Sequence, residues 1–359
     1  MNRTRPIRAL MSLLLVGAAA CTGAAAQTSP SPGASASSTS TTSSSSSSGN
    51  DTEIAAVGDI ACKSLPSAHN RRCRYNMVAK EIEQMKPAAF LALGDLQYLH
   101  GSFDDFEKYY DRYFGPLKSI TRPVPGNHES YTLGMKGYLK YFGAIARPHG
   151  GWSYPNSGGY YSYNLGGWHF IALNSEACKG TTWNPDLGRG VPISTNPIHT
   201  NGCGPGSSMY AWLQQDLALH PNSEFPCTVA YFHHPLFAWW PYRETIGMLG
   251  IQPMYQALDK AGVDVILNGH FHNYQRWKPQ DALGHPDPNG PAEFIVGTGG
   301  DTFENDFPTD KPKPANLAAY QAHSFGVLKM TLHPDSYDYA FEPAPGQRSY
   351  SDSGTASCA

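Results

Sequence analysis

The sequence predicts an α/β fold in which a two-sheet β-sandwich is flanked by helices. Two observations support this class. Short apolar segments of strand length alternate with stretches of helical periodicity over residues 51–359. Five of the apolar runs also end in a cluster of glycine, polar or histidine residues. Such clusters converge on one crevice when they follow the strands of an α/β sheet.

The first half of this region alternates strands with helices. TEIAAVGD (52–59) predicts a strand followed by a turn, and AAFLALGD (88–95) predicts the next strand. Between them, residues 75–86 place their apolar side chains on one helical face, and Pro87 follows as a helix breaker. The next expected elements are a helix over 103–113 and a short strand within 122–129.

The second half favours strands. The expected elements are a hairpin over 160–175 that turns at Gly166-Gly167, a helix over 207–219, a buried strand over 227–235, a helix over 253–261 and a strand over 262–270. Mainly antiparallel strands are expected over 293–300, 324–332 and 336–343.

The N-terminal segment has the pattern of an export signal. Residues 1–21 begin with three arginines within 1–8, continue with an apolar stretch too short for a stable membrane anchor, and end in small residues. The AAAC sequence resembles a lipobox and favours a lipid-anchored surface protein acylated at Cys21. A cut after Ala26 would instead release a secreted protein. Residues 22–50 are rich in Ser and Thr and are expected to be a disordered linker.

Charge and cysteine content narrow the class of protein further. The formal net charge is −3 and no Lys/Arg cluster stands out, which argues against a nucleic-acid scaffold. Acylation of Cys21 would leave six of the seven cysteines, for which fifteen pairings exist. Their order along the chain suggests the pairs Cys62–Cys73, Cys178–Cys203 and Cys227–Cys358. A cysteine-ligated zinc site would need close cysteine pairs, which the spacing does not provide.

The five polar clusters form a candidate metal site. They are GDIA (58–61), GDLQY (94–98), GNHE (126–129), FHHP (232–235) and GHFH (269–272). Each is weak alone, because Gly-Asp is usually a turn. Together they offer oxygen and nitrogen ligands without a thiolate, a set that suits Fe, Zn or Mn. The candidate residues are Asp59, Asp95, Tyr98, Asn127, His128, His233, His270 and His272, which are enough for two ions sharing one carboxylate.

This motif series resembles the calcineurin-like metallophosphoesterase superfamily, and most closely its purple acid phosphatase branch. That branch carries GDxG, GDxxY, GNH(D/E), VxxH and GHxH, and the match extends over residues 54–300. Ala61 and Ala230 stand where the branch has Gly and Val. The wider superfamily has a histidine ligand at the position of Ala61, and its absence makes Tyr98 the natural replacement.

The resemblance implies a role for each matched residue. Asp59, Asp95, Tyr98 and His272 would hold the first ion. Asp95 would bridge to a second ion held by Asn127, His233 and His270. The implied pair is Fe with Zn, Mn or a second Fe. His128, with Asp95 the other implied catalytic residue, would lie beside the leaving group.

The expected function is an exported phosphatase with a phosphate-ester substrate. The resemblance implies that it hydrolyses monoesters by direct attack of a metal-bound hydroxide. A phosphodiesterase on the same metals is the first alternative, and a non-catalytic surface binding protein on this fold is the second. His100, His234 and Arg243 are candidate contacts for the substrate.

Overall fold

The computed structural model of the protein describes residues 51–67, 69, 72–146, 158–178, 181–184, 189–192, 203–240, 249–303, 307 and 312–359. The α-helices of these residues are α1 (Tyr75–Met85), α2 (Phe103–Asp105), α3 (Asp111–Phe114), α4 (Asn127–Ser130), α5 (Lys136–Phe142), α6 (Ser208–Leu219) and α7 (Gln252–Lys260). The strands are β1 (Thr52–Val57), β2 (Ala89–Leu93), β3 (Thr121–Val124), β4 (Tyr161–Leu165), β5 (Trp168–Ala172), β6 (Thr181–Asn184), β7 (Arg189–Pro192), β8 (Thr228–Tyr231), β9 (Val265–Asn268), β10 (Tyr274–Trp277), β11 (Ala292–Val296), β12 (Leu317–Gln321), β13 (Gly326–Leu332), β14 (Ser336–Pro343) and β15 (Ser353–Ser357). The signal peptide, the lipobox with Cys21 and the linker lie outside the described residues.

The strands form two large sheets and one small two-stranded sheet. In sheet I the order is β15-β14-β13-β1-β2-β3, with β1, β2 and β3 parallel to one another. In sheet II the order is β12-β10-β11-β9-β8-β5-β4, with β5, β8, β9 and β11 parallel. The predicted α/β class, two sheets with flanking helices, is confirmed.

Sheet II buries both of its faces. Along β8, Val229 and Tyr231 belong to a core cluster that also contains the strands of sheet I. Ala230, between them, belongs to a second cluster with Leu213 of α6 and Leu258 of α7. Since successive side chains of a strand point to opposite faces, sheet II lies between sheet I and a layer of helices.

The helices largely follow their sequence patterns. The predicted apolar face of α1 buries Val78 and Ile82, and the helix contacts β13 of sheet I. It ends at Lys86, whose φ of 51° is left-handed and whose N–H donates to the carbonyl of Ile82. Pro87 then prevents the helix from continuing. Within the described ranges, no helix combines the length and apolar character that a bilayer crossing requires.

Five strands and one pairing differ from expectation. The sequence analysis did not predict β6, β7, β10, β12 or β15. The polar segments YQRW of β10 and SGTAS of β15 have no apolar alternation, and neighbouring strands hold them in place. The expectation of antiparallel pairing for 293–300 is wrong on one side, because β11 pairs in parallel with β9. Pairing between distant segments is a tertiary property that local periodicity does not carry.

Two links tie the last strand of sheet I to sheet II. The disulfide Cys227–Cys358 joins the residue before β8 to the residue after β15. Arg276 of β10 donates from Nε and Nη2 to the two carboxylate oxygens of Asp352, each at 2.8 Å. The other two disulfides are Cys62–Cys73 and Cys178–Cys203, so the six cysteines pair in the way their order suggests.

The cross-sheet disulfide should contribute more stability than the disulfide that closes the shortest loop. Cys227–Cys358 closes a separation of 131 residues and Cys62–Cys73 only 11. The loop entropy removed from the unfolded chain predicts a loss of about 5 kcal/mol for Cys227→Ser/Cys358→Ser and about 3 kcal/mol for the matched Cys62→Ser/Cys73→Ser variant. Urea unfolding of the two double variants measures this difference. Equal losses would contradict the entropic explanation.

Candidate metal centre

The predicted ligands follow the ends of parallel strands. Asp59, Asp95, His233 and His270 each lie two residues beyond β1, β2, β8 and β9, respectively, and Asn127 opens α4 after β3. The carboxyl ends of parallel strands meet at one edge of a sheet. The fold therefore delivers side chains from both sheets to the same place.

Three of these positions have a left-handed backbone. The φ angles are 61° at Asp59, 49° at Asp95 and 75° at His270. Non-glycine residues pay roughly 1–2 kcal/mol for this conformation, so it persists only where the surroundings enforce it. Here the N–H of Asp59 donates to the carbonyl of Gly94 at 3.0 Å, and the N–H of His270 donates to Oδ2 of Asp59 at 2.8 Å.

The first group of ligands surrounds the hydroxyl of Tyr98. This oxygen lies 2.8 Å from Nε2 of His272, 3.0 Å from Oδ1 of Asp59 and 3.4 Å from Oδ2 of Asp95. Nε2 of His272 is also 3.3 Å from Oδ1 of Asp59. The four residues assigned to the first ion thus converge on one point.

The second group lies on the other side of Asp95. Nε2 of His233 is 3.2 Å from Oδ2 of Asp95, and the rings of His233 and His270 are 5.1 Å apart. Asn127 is adjacent, because the N–H of the next residue, His128, donates to Oδ1 of Asp95 at 2.8 Å. The carboxylate of Asp95 therefore faces both groups, as that of a bridging ligand would.

Main-chain carbonyls fix the tautomers of two candidate ligands. Nδ1 of His233 lies 2.8 Å from the carbonyl oxygen of Leu93, and Nδ1 of His272 lies 2.7 Å from that of Thr302. A carbonyl only accepts, so each Nδ1 donates. In the neutral rings the lone pair is then on Nε2, the atom that faces the carboxylates, as in metal-binding histidines.

The residues present fit a metal centre. Oδ1 of Asn127 is buried without a hydrogen-bond partner, and the buried Nε2 of His233 faces the carboxylate of Asp95. Asp59 and Asp95 are buried carboxylates, and among the described residues neither forms an ion pair with a lysine or arginine. Buried charge of this kind requires compensation, and cations at this point would supply it.

Burial and the closeness of these ionisable groups shift their pKa values. Burial would lower the pKa of His233, but the Asp95 carboxylate outweighs it and raises that pKa to about 9. Burial works against the charged form of Asp95, yet His233 and His128 hold its pKa well below the usual range. Burial and the nearby carboxylates raise the pKa of the Tyr98 phenol well above its usual value.

His128 lies at the rim of the site. Its ring packs against Tyr98 with centroids 4.2 Å apart and against Tyr131 at 4.9 Å. Nδ1 lies 2.6 Å from the carbonyl oxygen of Leu99 and therefore donates. Nε2 is 3.8 Å from Oδ2 of Asp95, and a fifth of the side chain is exposed. A molecule entering the site could therefore reach this ring.

Glu129 supports the loops and faces away from solvent. Its Oε1 accepts from the N–H groups of Leu96 and Gln97 at 2.9 and 3.1 Å, and its Oε2 accepts from that of Gly126 at 2.8 Å. Glu129 thereby joins the loop after β2, which carries Asp95, to the loop after β3, which carries Asn127.

His234, a predicted substrate contact, is completely buried beside the ligands. Its Nδ1 lies 2.8 Å from Oγ of Ser175, its Nε2 lies 3.3 Å from Oε1 of Glu176, and its ring is 4.3 Å from that of His270. This arrangement favours a supporting position behind His270 over a contact with substrate. Sequence reasoning missed Ser175 and Glu176, which follow β5 and carry no motif.

The remaining candidates are less defined. His100 is half-buried near Tyr131, with ring centroids 6.3 Å apart, and its contact with substrate stays a prediction. Arg243 lies outside the described residues.

Sequence reasoning also missed Asp301, whose Oδ2 is 3.8 Å from Nδ1 of His272. The GTGGD sequence at the end of β11 repeats the strand-end pattern and is the signal that could have identified it.

The Gly94→Ala variant should lose metal. A Cβ on Gly94, whose φ is +85°, would lie 2.6 Å from Nδ1 of His233 and push that ring away from Asp95. Gly167→Ala is the matched control, because its φ is +83° and nothing lies within 4 Å of the new Cβ. Both variants carry backbone strain, but only Gly94→Ala should fall below wild type in metal content per chain by elemental analysis. Equal metal contents would refute this packing constraint.

Comparison with known proteins agrees with this geometry. The family model described as calcineurin-like phosphoesterase matches residues 52–274. Among curated proteins, purple acid phosphatases 21 and 22 of Arabidopsis thaliana are 27% and 28% identical over 251 and 283 residues. The alignments cover 68% and 76% of this chain and 50% and 56% of the relatives. The chain therefore spans about half the length of these curated relatives.

Solved structures show the same fold. A purple acid phosphatase from yellow lupin (Lupinus luteus) seeds has a TM-score of 0.61 at 18% identity, covering 86% of this chain and 54% of that one. A dimetal phosphatase from Danio rerio has a TM-score of 0.53 at 14% identity, covering 86% and 99%. The family match includes every candidate ligand from Asp59 to His272. This chain belongs to the calcineurin-like phosphoesterase family, and its curated relatives include purple acid phosphatases.

Proposed function

We propose that this chain is an exported phosphatase that hydrolyses phosphate monoesters at a two-metal centre. The observation that carries the proposal is the buried Asp59–Tyr98–Asp95 group, flanked by the Nε2 atoms of His272 and His233. Two cations bound there would neutralise the negative oxygens of a phosphate ester, align them, and lower the pKa of a bound water.

Each ion would be held by its own set of side chains, with one residue shared. Asp59, Tyr98 and His272 would hold one ion, Asn127, His233 and His270 the other, and Asp95 would be shared between them. The tyrosine favours iron at the first position, with Zn, Mn or Fe at the second.

His128 would act on the leaving group. Because its Nδ1 donates to the carbonyl of Leu99, its cationic form would carry a second proton on Nε2 of the partly exposed ring. That proton could stabilise or protonate the departing alkoxide. The backbone N–H of the same residue holds Oδ1 of Asp95, so the proton donor and the shared carboxylate are positioned together.

Export is supported by the disulfides. The three pairs of the described chain would persist in an oxidising compartment, outside the cytosol. The signal-like residues 1–21 agree with export. The Ser/Thr-rich stretch after Cys21 would serve as a tether and favours a surface lipoprotein acylated at Cys21 over a protein released by a cut after Ala26. The intact mass of the mature protein distinguishes these two forms.

Hydrolysis assays test the function. The purified protein should turn over a phenyl phosphate monoester faster than the matching diester. The Asn127→Ala/His233→Ala variant should lose at least about a thousandfold in rate, because losing a bound cation removes several kcal/mol of transition-state stabilisation.

Each alternative has its own outcome in that assay. Preference for the diester would identify a phosphodiesterase on the same metals. Equal inactivity of wild type and variant across a broad panel of esters would identify a non-catalytic binding protein.

The role of Tyr98 can be tested by colour. A tyrosinate on ferric iron implies a purple charge-transfer band, as the resemblance to purple acid phosphatases suggests, so Tyr98→Phe should bleach the protein. Tyr131→Phe is the matched control, since that hydroxyl accepts from Nδ2 of Asn127 at 3.2 Å and is not a proposed ligand. Visible absorption spectra of the iron-loaded proteins provide the measurement. A Tyr98→Phe protein that stays purple would exclude the tyrosinate.

A further inference from the structure

A second group of metal-binding side chains lies at the opposite end of sheet II. His169 belongs to β5, Asp216 to α6, and His220 caps the C-terminal end of α6. His169 pairs with Thr228 at the start of the parallel strand β8, whereas the ligand His233 follows the end of that strand. The group is therefore separate from the centre described above.

The three donors are close enough to share one ion. One ligand atom from each residue lies within 4.8 Å of the other two. Nε2 of His169 is 2.9 Å from Oδ2 of Asp216. Nδ1 of His220 is 3.4 Å from Oδ1 of Asp216 and donates to the main-chain carbonyl of the same residue at 2.9 Å, so an ion bound through Nδ1 would replace that hydrogen bond. The rings of His169 and His220 stack with centroids 4.0 Å apart and planes at 14°. A helix places residues i and i+4 on one face, so Asp216 and His220 can both contact one ion.

The two ring nitrogens of His169 face two acceptors, one more than a neutral ring can satisfy. Its Nδ1 lies 2.7 Å from Oδ1 of Asn164, and its Nε2 faces the carboxylate of Asp216. Both partners are acceptors, whereas a neutral imidazole has a single N–H. A proton or a metal ion on Nε2 would satisfy the second acceptor. Asp216 also accepts from Oγ of Ser162 at 2.6 Å, which orients the carboxylate as metal-binding carboxylates are usually oriented.

The site is buried on one side and open on the other. His169 is 1% exposed and Asp216 6%, while the side chain of His220 is 26% exposed. A cavity of about 450 Å³ adjoins the three residues and is lined also by Tyr163, Trp212 and Gln215. An ion could enter beside His220, and a water or small ligand could fill its remaining coordination position.

We infer that His169, Asp216 and His220 bind a third metal ion, a borderline divalent cation such as Zn²⁺. Two imidazoles and one carboxylate form a donor set that zinc accepts, with the fourth position left to the cavity. Because His169 lies in β5 and Asp216 in α6, the ion would fasten the last turn of α6 to sheet II. This inference does not depend on the proposed hydrolysis.

Zinc binding to the full chain tests the inference. Purified protein with its own metals bound is desalted and titrated with Zn²⁺, and the additional equivalents are counted by equilibrium dialysis. Wild type should take up one additional equivalent, and its melting temperature should rise with Zn²⁺ concentration because the ion binds the folded state. His220→Ala removes a partly exposed ligand and should weaken this additional site by at least about 100-fold.

A matched variant controls for adventitious binding. His285 also lies four residues after an aspartate, with its Nδ1 3.0 Å from Oδ2 of Asp281, but that pair is exposed and belongs to no three-donor group of the described residues. His285→Ala should bind zinc as wild type does. The inference fails if wild type gains no additional equivalent, or if that equivalent survives His220→Ala. In either case the cluster is a hydrogen-bonded contact between β5 and α6 that binds no metal.

Discussion

The mutual repulsion of two buried carboxylates is the constraint on which the site depends. Asp59 and Asp95 approach the same hydroxyl, that of Tyr98, at 3.0 and 3.4 Å, and neither has a basic arginine or lysine partner among the described residues. Burying two like charges together costs several kcal/mol per charge unless cations compensate them. The surrounding imidazoles, the orphaned amide oxygen of Asn127 and the left-handed backbone are all arranged around this requirement.

The fold meets that requirement by combining two sheets. Sheet I contributes Asp59, Asp95 and Asn127, and sheet II contributes His233, His270 and His272. Neither sheet alone carries all of the candidate ligands, so their geometry depends on the relative placement of the two sheets. The disulfide after β15 and the ion pair between Arg276 and Asp352 cross from one sheet to the other and restrict that placement.

The sequence predicted the convergence of the candidate ligands better than the structure around them. Strand-end motifs identified Asp95 and His233 because glycine and polar residues after an apolar run leave a local signature. Ser175 and Glu176 were missed because their contact with His234 depends on how β5 lies beside β8, which no local pattern records. The same reason hid strands β10 and β15. His169 was missed because it reads as an ordinary polar residue of a hairpin until α6 is placed above it.

The imidazoles of the centre are held by the main chain. The carbonyl oxygens of Leu93, Thr302 and Leu99 fix the rings of His233, His272 and His128. A main-chain carbonyl is present whatever side chain the residue carries, so these contacts do not require a particular side chain. Leu99 is half exposed and can vary in chemical character, whereas Leu93 is fully buried in the core and must stay apolar. An insertion or deletion that shifts one of these loops by a single residue would misalign a candidate ligand at once.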